Sequence, residues 1–344
     1  MKKTSSRYIG VFPLLSIVLL VIVLFSIRYG AVSITLDDML SAFQKMTSGK
    51  EGLNLTERIF MEIRLPRAIL CIFVGASLAV GGALLQALFR NPIVEPGLVG
   101  TSCGAAFGAA LYFALGATFD FSVGEYTLPL AACLGAICST ALVFFLSQSK
   151  QTGKSSVVTL LLVGIAINAL FLSGVGFLSY IARDPQARSI IFWNLGTLSG
   201  ANWPSVIIVG ISTITCLLFS LRYAKHLNAL MIGEEEAQFI GVNLNSLKWK
   251  ILLINVVMVA VATAFVGVIS FVGLIVPHLL RILKGSDNRF LILNSAVLGG
   301  VLLCLADLLS RMLLRPAELP IGIVTSVVGV PIFIILLQKK NYFF

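Results

Sequence analysis

The chain has 344 residues, of which 58% are hydrophobic and only 12% charged, with a mean hydropathy of +1.00. Soluble domains carry about 25% charged residues, so most of this chain has no polar surface to offer water and lipid must be its solvent. The net charge of +10 does not point to nucleic acid, because the charges lie between apolar runs and form no basic stripe.

About 20 apolar residues cross a bilayer core. Runs of that kind occupy 8–27, 68–89, 97–118, 126–147, 156–181, 205–221, 251–283, 290–310 and 321–337. The first follows Lys2, Lys3 and Arg7, as a secretory signal would. It is longer than the ~7–15 residues of a signal's apolar region and lacks a clear cleavage site, so it reads as an uncleaved first span. The run at 251–283 is too long for one crossing, and no Asp, Glu, Lys or Arg lies between Ile251 and Leu280. Lys248 and Lys250 precede it, and Arg281 and Lys284 close it. A hairpin turning near Gly267 to Gly273 keeps both basic clusters on the cytoplasmic side, as the positive-inside rule favours. The expectation is a single all-α transmembrane domain over 1–344 with ten spans and both termini cytoplasmic. Residues 30–60 form an outer segment and 222–250 a cytoplasmic loop.

Glycine-rich faces at Gly75–Gly82 and Gly100–Gly108 predict close helix packing, since small residues let backbones approach in lipid. The segment Phe73–Gly81 (FVGASLAVG) echoes Phe265–Gly273 (FVGVISFVG), a pattern that fits inverted repeats. The six cysteines lie within apolar runs with no C-x-x-C, and with two histidines in the chain they read as small packing residues, with no metal site expected.

Four connections stand out. Glu62–Arg67 (EIRLPR) places two arginines around a proline that suits a helix start. It fits an interfacial anchor or an outward docking site for an acidic partner, with Arg311 on the same side. Arg90–Gly97 (RNPIVEPG) reads as a stiff turn across which Arg90 and Glu95 could pair. Met231–Val242 (MIGEEEAQFIGV) predicts a short helix after Gly233, with Glu234, Glu235 and Glu236 in a first turn favoured by the helix dipole. Ala237, Phe239 and Ile240 give it an apolar side, ending near Gly241, and a partner-binding helix is the better reading. Glu318–Gly322 (ELPIG) leads into the last span beside Arg311 and Arg315. Asp307 is the one acid well inside a span, which makes it a functional candidate or a hydrogen-bonded structural acid. The Thr152–Ser155 sequence (TGKS) imitates the end of a P-loop, but a spanning helix precedes it where that motif needs a strand. No ATP site, nucleophile elbow or paired-carboxylate site is expected.

Together, Arg64–Arg67 (RLPR), Gln86–Gly100 (QALFRNPIVEPGLVG), Gly233–Ala237 (GEEEA), Phe271–His278 (FVGLIVPH) and Glu318–Gly322 (ELPIG) resemble the FecCD-type permeases. These are membrane subunits of ABC importers for iron–siderophore complexes, haem and cobalamin. The resemblance runs from about residue 55 to 340. It implies a type II ABC importer permease with ten helices per subunit, paired as a homodimer or a close heterodimer. It also implies two cytoplasmic ATP-binding subunits that carry the ATP and Mg, and a periplasmic or lipid-anchored substrate-binding protein. No cofactor would belong to this chain. By the same likeness Arg64, Arg67 and Arg311 would meet the binding protein, Gly233–Gly241 would be the coupling helix, and Ser156–Trp203 would line the passage. Ser155, Ser156, Asn168 and Trp193 are its candidate path residues. The cobalamin member has a Thr-Ser gate where this chain has Val157 and Val158. Ser179–Arg188 followed by Phe192–Gly196 is more similar to haem permeases. An iron complex is therefore the expected substrate, with cobalamin as the alternative. An ion-coupled secondary transporter is a distant one, because it would need several buried acids.

Overall fold

The structure is a computed structural model that describes residues 10–30, 32–48, 52–119, 124–148 and 157–338. It is helical: α1 (Val11–Arg28), α2 (Leu36–Ser48), α3 (Leu55–Ile59), α4 (Leu65–Leu88), α5 (Thr101–Phe119), α6 (Thr127–Leu146), α7 (Val157–Ile181), α8 (Asp184–Asn194), α9 (Trp203–Ile232), α10 (Glu234–Phe239), α11 (Leu244–Val266), α12 (Val272–Lys284), α13 (Asn288–Met312) and α14 (Ile321–Gln338). Among the described residues, seven helical segments are long and apolar enough to cross a membrane. They correspond to α1, α3–α4, α6, α7, α9, α11 and α13. The apolar parts of α5 and α14 are shorter, at Thr101–Gly116 and Ile321–Leu336.

The bundle has two distinguishable ends. Tyr29, just after α1, accepts hydrogen bonds through its carbonyl from Arg64 and Arg311. The Trp203 indole at the start of α9 donates to Met61 O at 3.0 Å, so it belongs to that same arginine end. The far ends of α4 and α9 lead to the opposite end, where α10 lies. α1 runs toward the arginine end beside α13, and α14 starts there, since Ile321 N–H donates to Gly196 O and Gly322 N–H to Leu195 O. Val11 and Gln338 therefore lie at the α10 end together.

The overlong apolar run is divided as the basic clusters predict. Asn255 Nδ2 donates to Gly81 O at 2.8 Å, which puts mid-α11 beside mid-α4. α11 ends at Val266. Gly267 (φ +76°) and Phe271 (φ +70°) then reverse the chain, and a Cβ on Gly267 would lie 2.2 Å from Trp193 O. Gly273 returns the chain to Gly82, and further along α12 the Arg281 guanidinium donates to Gln86 Oε1. α12 has 13 residues, about 20 Å at 1.5 Å each, and so enters only part of a ~30 Å core. The same comparison removes the expected repeat. Phe73–Gly81 is mid-helix in α4, whereas Phe265–Gly273 spans the break between α11 and α12.

Two other expectations are corrected. The helix holding Arg64 and Arg67 begins at Leu55, where Asn54 and Glu57 form a capping box. Pro66 therefore lies inside a continuous helical path. A turn of π-helix over Phe60–Arg64 precedes it, with Leu65 N–H bonded to Phe60 O, and opens the backbone where proline has no N–H to give. The loop expected at 222–250 is largely helix, because α9 continues to Ile232 and α11 starts at Leu244. Asn243 caps α11 by accepting from Ser246 N–H at 3.0 Å.

The predicted small-residue faces are where helices meet. α4 packs along α13, and a Cβ on Gly75 would lie 2.3 Å from Gly299 O. α5 meets α6 through Gly104 and Gly135 in the same way. Polar side chains hold the seams, as Ser77 does with Thr213 at 2.8 Å and Thr101 with Thr140 at 3.1 Å. Outside the spans, α2 is fastened to α3 by Lys45 Nζ to Glu57 Oε2 at 2.8 Å. Asp38 opens α2 by accepting from the Thr35 hydroxyl (2.6 Å) and N–H (2.9 Å), which hold its carboxyl below the usual range.

Candidate functional site: a buried ion cluster and an exposed acidic helix

Arg64, Arg67 and Arg311, predicted as one outward face, do come together, but inside the protein. They are 8%, 7% and 5% exposed. Arg67 comes from the first turn of α4, and Asp307 and Arg311 stand one turn apart on α13. Asp307 is fully buried and accepts from Arg67 Nε (2.9 Å) through Oδ1 and from Arg311 Nε (2.9 Å) through Oδ2. Glu318 takes the other side of Arg67, with Nη1 at 2.9 Å from Oε2. Arg311 also donates to the Ser26 carbonyl (3.0 Å) and hydroxyl (2.7 Å). Arg64 donates to two backbone carbonyls, Tyr29 O at 3.2 Å and Val32 O at 3.5 Å. Its guanidinium lies over Gly30, where a Cβ would fall within 2 Å of it.

This arrangement places Asp307 as a hydrogen-bonded, charge-paired acid. Its carboxylate is shared by two guanidiniums and is fully buried. Breaking such a buried pair from one side costs about 3–5 kcal/mol because it strands the partner charge.

At the other end the predicted short helix is present as α10. Gly233 is extended (φ 168°, ψ 155°), and the Glu236 carboxylate folds back over it, where a Cβ would collide with Oε2 at 1.7 Å. Glu234, Glu235 and Glu236 form its first turn. Glu234 pairs with Lys248 of α11 at 3.0 Å. Ala237 is buried against the bundle. Gly241, at φ +91°, lets the chain turn back into α11. Phe239 is 90% exposed and Ile240 68%. Between α10 and α11 lies a cavity of about 300 Å³ lined by Glu234, Gln238, Asn243, Asn245 and Lys248 among others.

The candidate path residues are placed apart. Asn168 of α7 is half-buried and donates to Gly97 O at 3.0 Å. Trp193 of α8 is buried, with its carbonyl against Gly267. Ser155 and Ser156 lie outside the described residues. α7 presents a long apolar flank that includes Leu162, Ile165, Leu170, Leu172 and Phe177.

The Arg90–Gly97 turn works differently from its expected internal pair. The Glu95 carboxylate faces the backbone N–H of Phe271 at the start of α12. A broken helix in a transporter often offers its N-terminus to an anionic substrate. Here the protein's own carboxylate fills that position. Pro96 wedges between Gly81 and Gly273, and Leu98 O lies where a Gly164 Cβ would be. One turn thus joins α4, α7 and α12.

Residues 18–339 match the model of the FecCD transport family. The chain belongs to that family. It is 37% identical over 95% of both chains to the hemin transport system permease HmuU of Yersinia pestis. It is 36% identical to the vitamin B12 import permease BtuC of Vibrio parahaemolyticus, over 83% of this chain and 84% of that one. Among solved structures, a transporter described as metal-chelate type, in an inward-facing conformation, superposes with a TM-score of 0.83 at 30% identity. That match covers 95% of this chain and 98% of the other. The protein is thus an all-helical, multi-pass ABC importer permease of type II architecture, as its motifs led one to expect.

Proposed function

We propose that this permease brings an iron complex, haem or an iron–siderophore, across a bacterial inner membrane by ATP-driven alternating access. In this reading the α10 end is cytoplasmic and both termini lie there. Ten helices make up the spanning bundle, with α12 entering part-way. A second copy completes the passage, and α7 and the α8 turn, with Asn168 and Trp193, form its wall. The apolar flank of α7 is suited to face that copy. Two ATP-binding subunits engage α10 through Glu234–Glu236 and Phe239 and carry the hydrolysis. A substrate-binding protein docks at the arginine end over Arg64, Arg67 and Arg311.

The observation that carries the reading is Phe239. An aromatic ring 90% exposed on a helix otherwise fastened by Ala237 and the Glu234–Lys248 pair has no use in an isolated chain. A cleft on a partner that accepts the ring gives it one. The motion of such a partner passes through α10 into α9 and α11, which α10 joins directly. The ion-coupled alternative loses support, because Asp307 is engaged by two arginines. The haemin permease among the relatives supports an iron complex, and the vitamin B12 permeases support cobalamin as the second reading.

The test is reconstitution of the permease with its ATP-binding subunit and binding protein in liposomes, with haem, a ferric siderophore and cobalamin supplied in turn. ATP hydrolysis and uptake should rise with an iron complex. A response to cobalamin alone would select the second reading, and no response to any of the three would remove both.

A further inference from the structure

The two carboxylates of the arginine cluster are not equivalent. Asp307 stands on the body of α13, is fully buried and holds two arginines. Glu318 stands on the non-helical stretch between α13 and α14. Its side chain is 42% exposed, and its partner in the cluster is Arg67. Three guanidinium groups thus face two carboxylates, and Arg64 is satisfied by carbonyl oxygens instead of an acid. The cluster carries an excess positive charge, and its most accessible anion covers Arg67.

We infer that Glu318 is an exchangeable cover on Arg67, which a carboxylate on the surface of a docking protein displaces. The inference rests on the docking reading above and says how buried arginines can serve it. Replacing one carboxylate by another on Arg67 leaves the local charge balance unchanged, so the exchange avoids stranding a buried cation. The excess charge steers an acidic surface toward the site. Release of Glu318 also has a route inward. Leu319 N–H is bonded to Ser310 O at 3.0 Å, and Ile321 and Gly322 donate to Gly196 O and Leu195 O at 3.1 and 2.9 Å. The stretch freed by exchange is therefore tied directly to the residues that follow α8 and Trp193. Docking and the outer mouth of the passage share one piece of backbone.

The experiment uses the full permease with its ATP-binding subunit in nanodiscs and the substrate-binding protein that serves it, free of substrate. Binding is measured for wild type, Glu318→Gln, Glu318→Ala and Glu318→Asp across a salt series. With the competing carboxylate gone, the Gln and Ala variants should bind about tenfold tighter, with a steeper salt dependence, and Asp should behave as wild type. Equal or weaker binding by a Gln variant that elutes and melts as wild type overturns the exchange. Cysteines placed at Arg58 and Glu62, whose side chains are 66% and 64% exposed on the same end, report docking independently by cross-linking to the binding protein. Cross-links without tighter binding by the Gln variant sink the cover and leave the docking surface standing. Absence of cross-links at both positions sinks the docking surface itself.

Discussion

At the arginine end, the ion cluster is drawn inside, with Asp307, Arg67 and Arg311 all under a tenth exposed. At the α10 end, a short acidic helix holds a phenylalanine almost wholly in the open. The first end satisfies itself: each guanidinium has an acid or a carbonyl from within the chain. The second is left incomplete by the chain alone. The contrast says that the polar interactions are concentrated where α1, α4 and α13 converge, and that the exposed aromatic surface lies at the other end. Within the ion cluster Glu318 is the half-open member, which is why exchange is placed there.

The sharpest break of this contrast is Asp307→Asn. It leaves two buried arginines sharing a neutral amide, and the expected loss is about 3–5 kcal/mol. Thermal unfolding of the purified permease should show a large drop, or the variant should fail to accumulate. A near-normal melt would mean that the cluster does not hold the end together. A smaller effect is expected from Gly75→Val, which drives a side chain into the Gly299 backbone on the α4–α13 seam below the cluster. Overpacking of this kind costs about 1–3 kcal/mol, at the upper end here because the obstacle is backbone. An unchanged melting temperature would show that the seam yields without the cluster noticing. At the α10 end, Lys248→Met removes the partner of Glu234. That pair is partly exposed, so the same assay should register about 0.2–1 kcal/mol. A loss as large as that of Asp307→Asn would erase the distinction between the ends.

The α10 end was much more legible in the sequence than the arginine end, for a physical reason. Gly233, three glutamates and Phe239 are neighbours in the chain, and local rules of capping and dipole suffice to predict the helix. The hairpin at 251–283 was legible too, because flanking charge constrains topology whatever the packing. The arginine cluster joins Ser26 and Tyr29 to residues up to 285 positions away, and several of its acceptors are backbone carbonyls that any sequence would supply. Exposure of Arg64 and Arg67 was inferred from a loop that is in fact helix from Leu55 onward. The π-turn that admits Pro66 there leaves no composition signal. The Phe265–Gly273 echo misled because apolar segments resemble one another whether or not they bend, and the bend depends on Trp193 O against Gly267.

The smallest effect on stability should come from Phe239→Ser, and that makes it the most informative. The ring is 90% exposed, and surface changes of this kind stay within about 0.5 kcal/mol, so the melting temperature of the isolated permease should not move. If α10 is the seat of an ATP-binding partner, the same substitution removes an aromatic anchor from an interface, where such anchors commonly contribute 2 kcal/mol or more. Co-purification of the ATP-binding subunit should fall at least tenfold, and transport should fall with it. A lysine at Glu235 tests the same surface by charge without touching the Glu234–Lys248 pair. The two readouts must separate: stability unchanged, assembly lost. If Phe239→Ser destabilises the permease itself, the ring packs somewhere within the bundle or its second copy. If neither readout changes, α10 is a solvated turn, and the incomplete end of the molecule must be sought elsewhere.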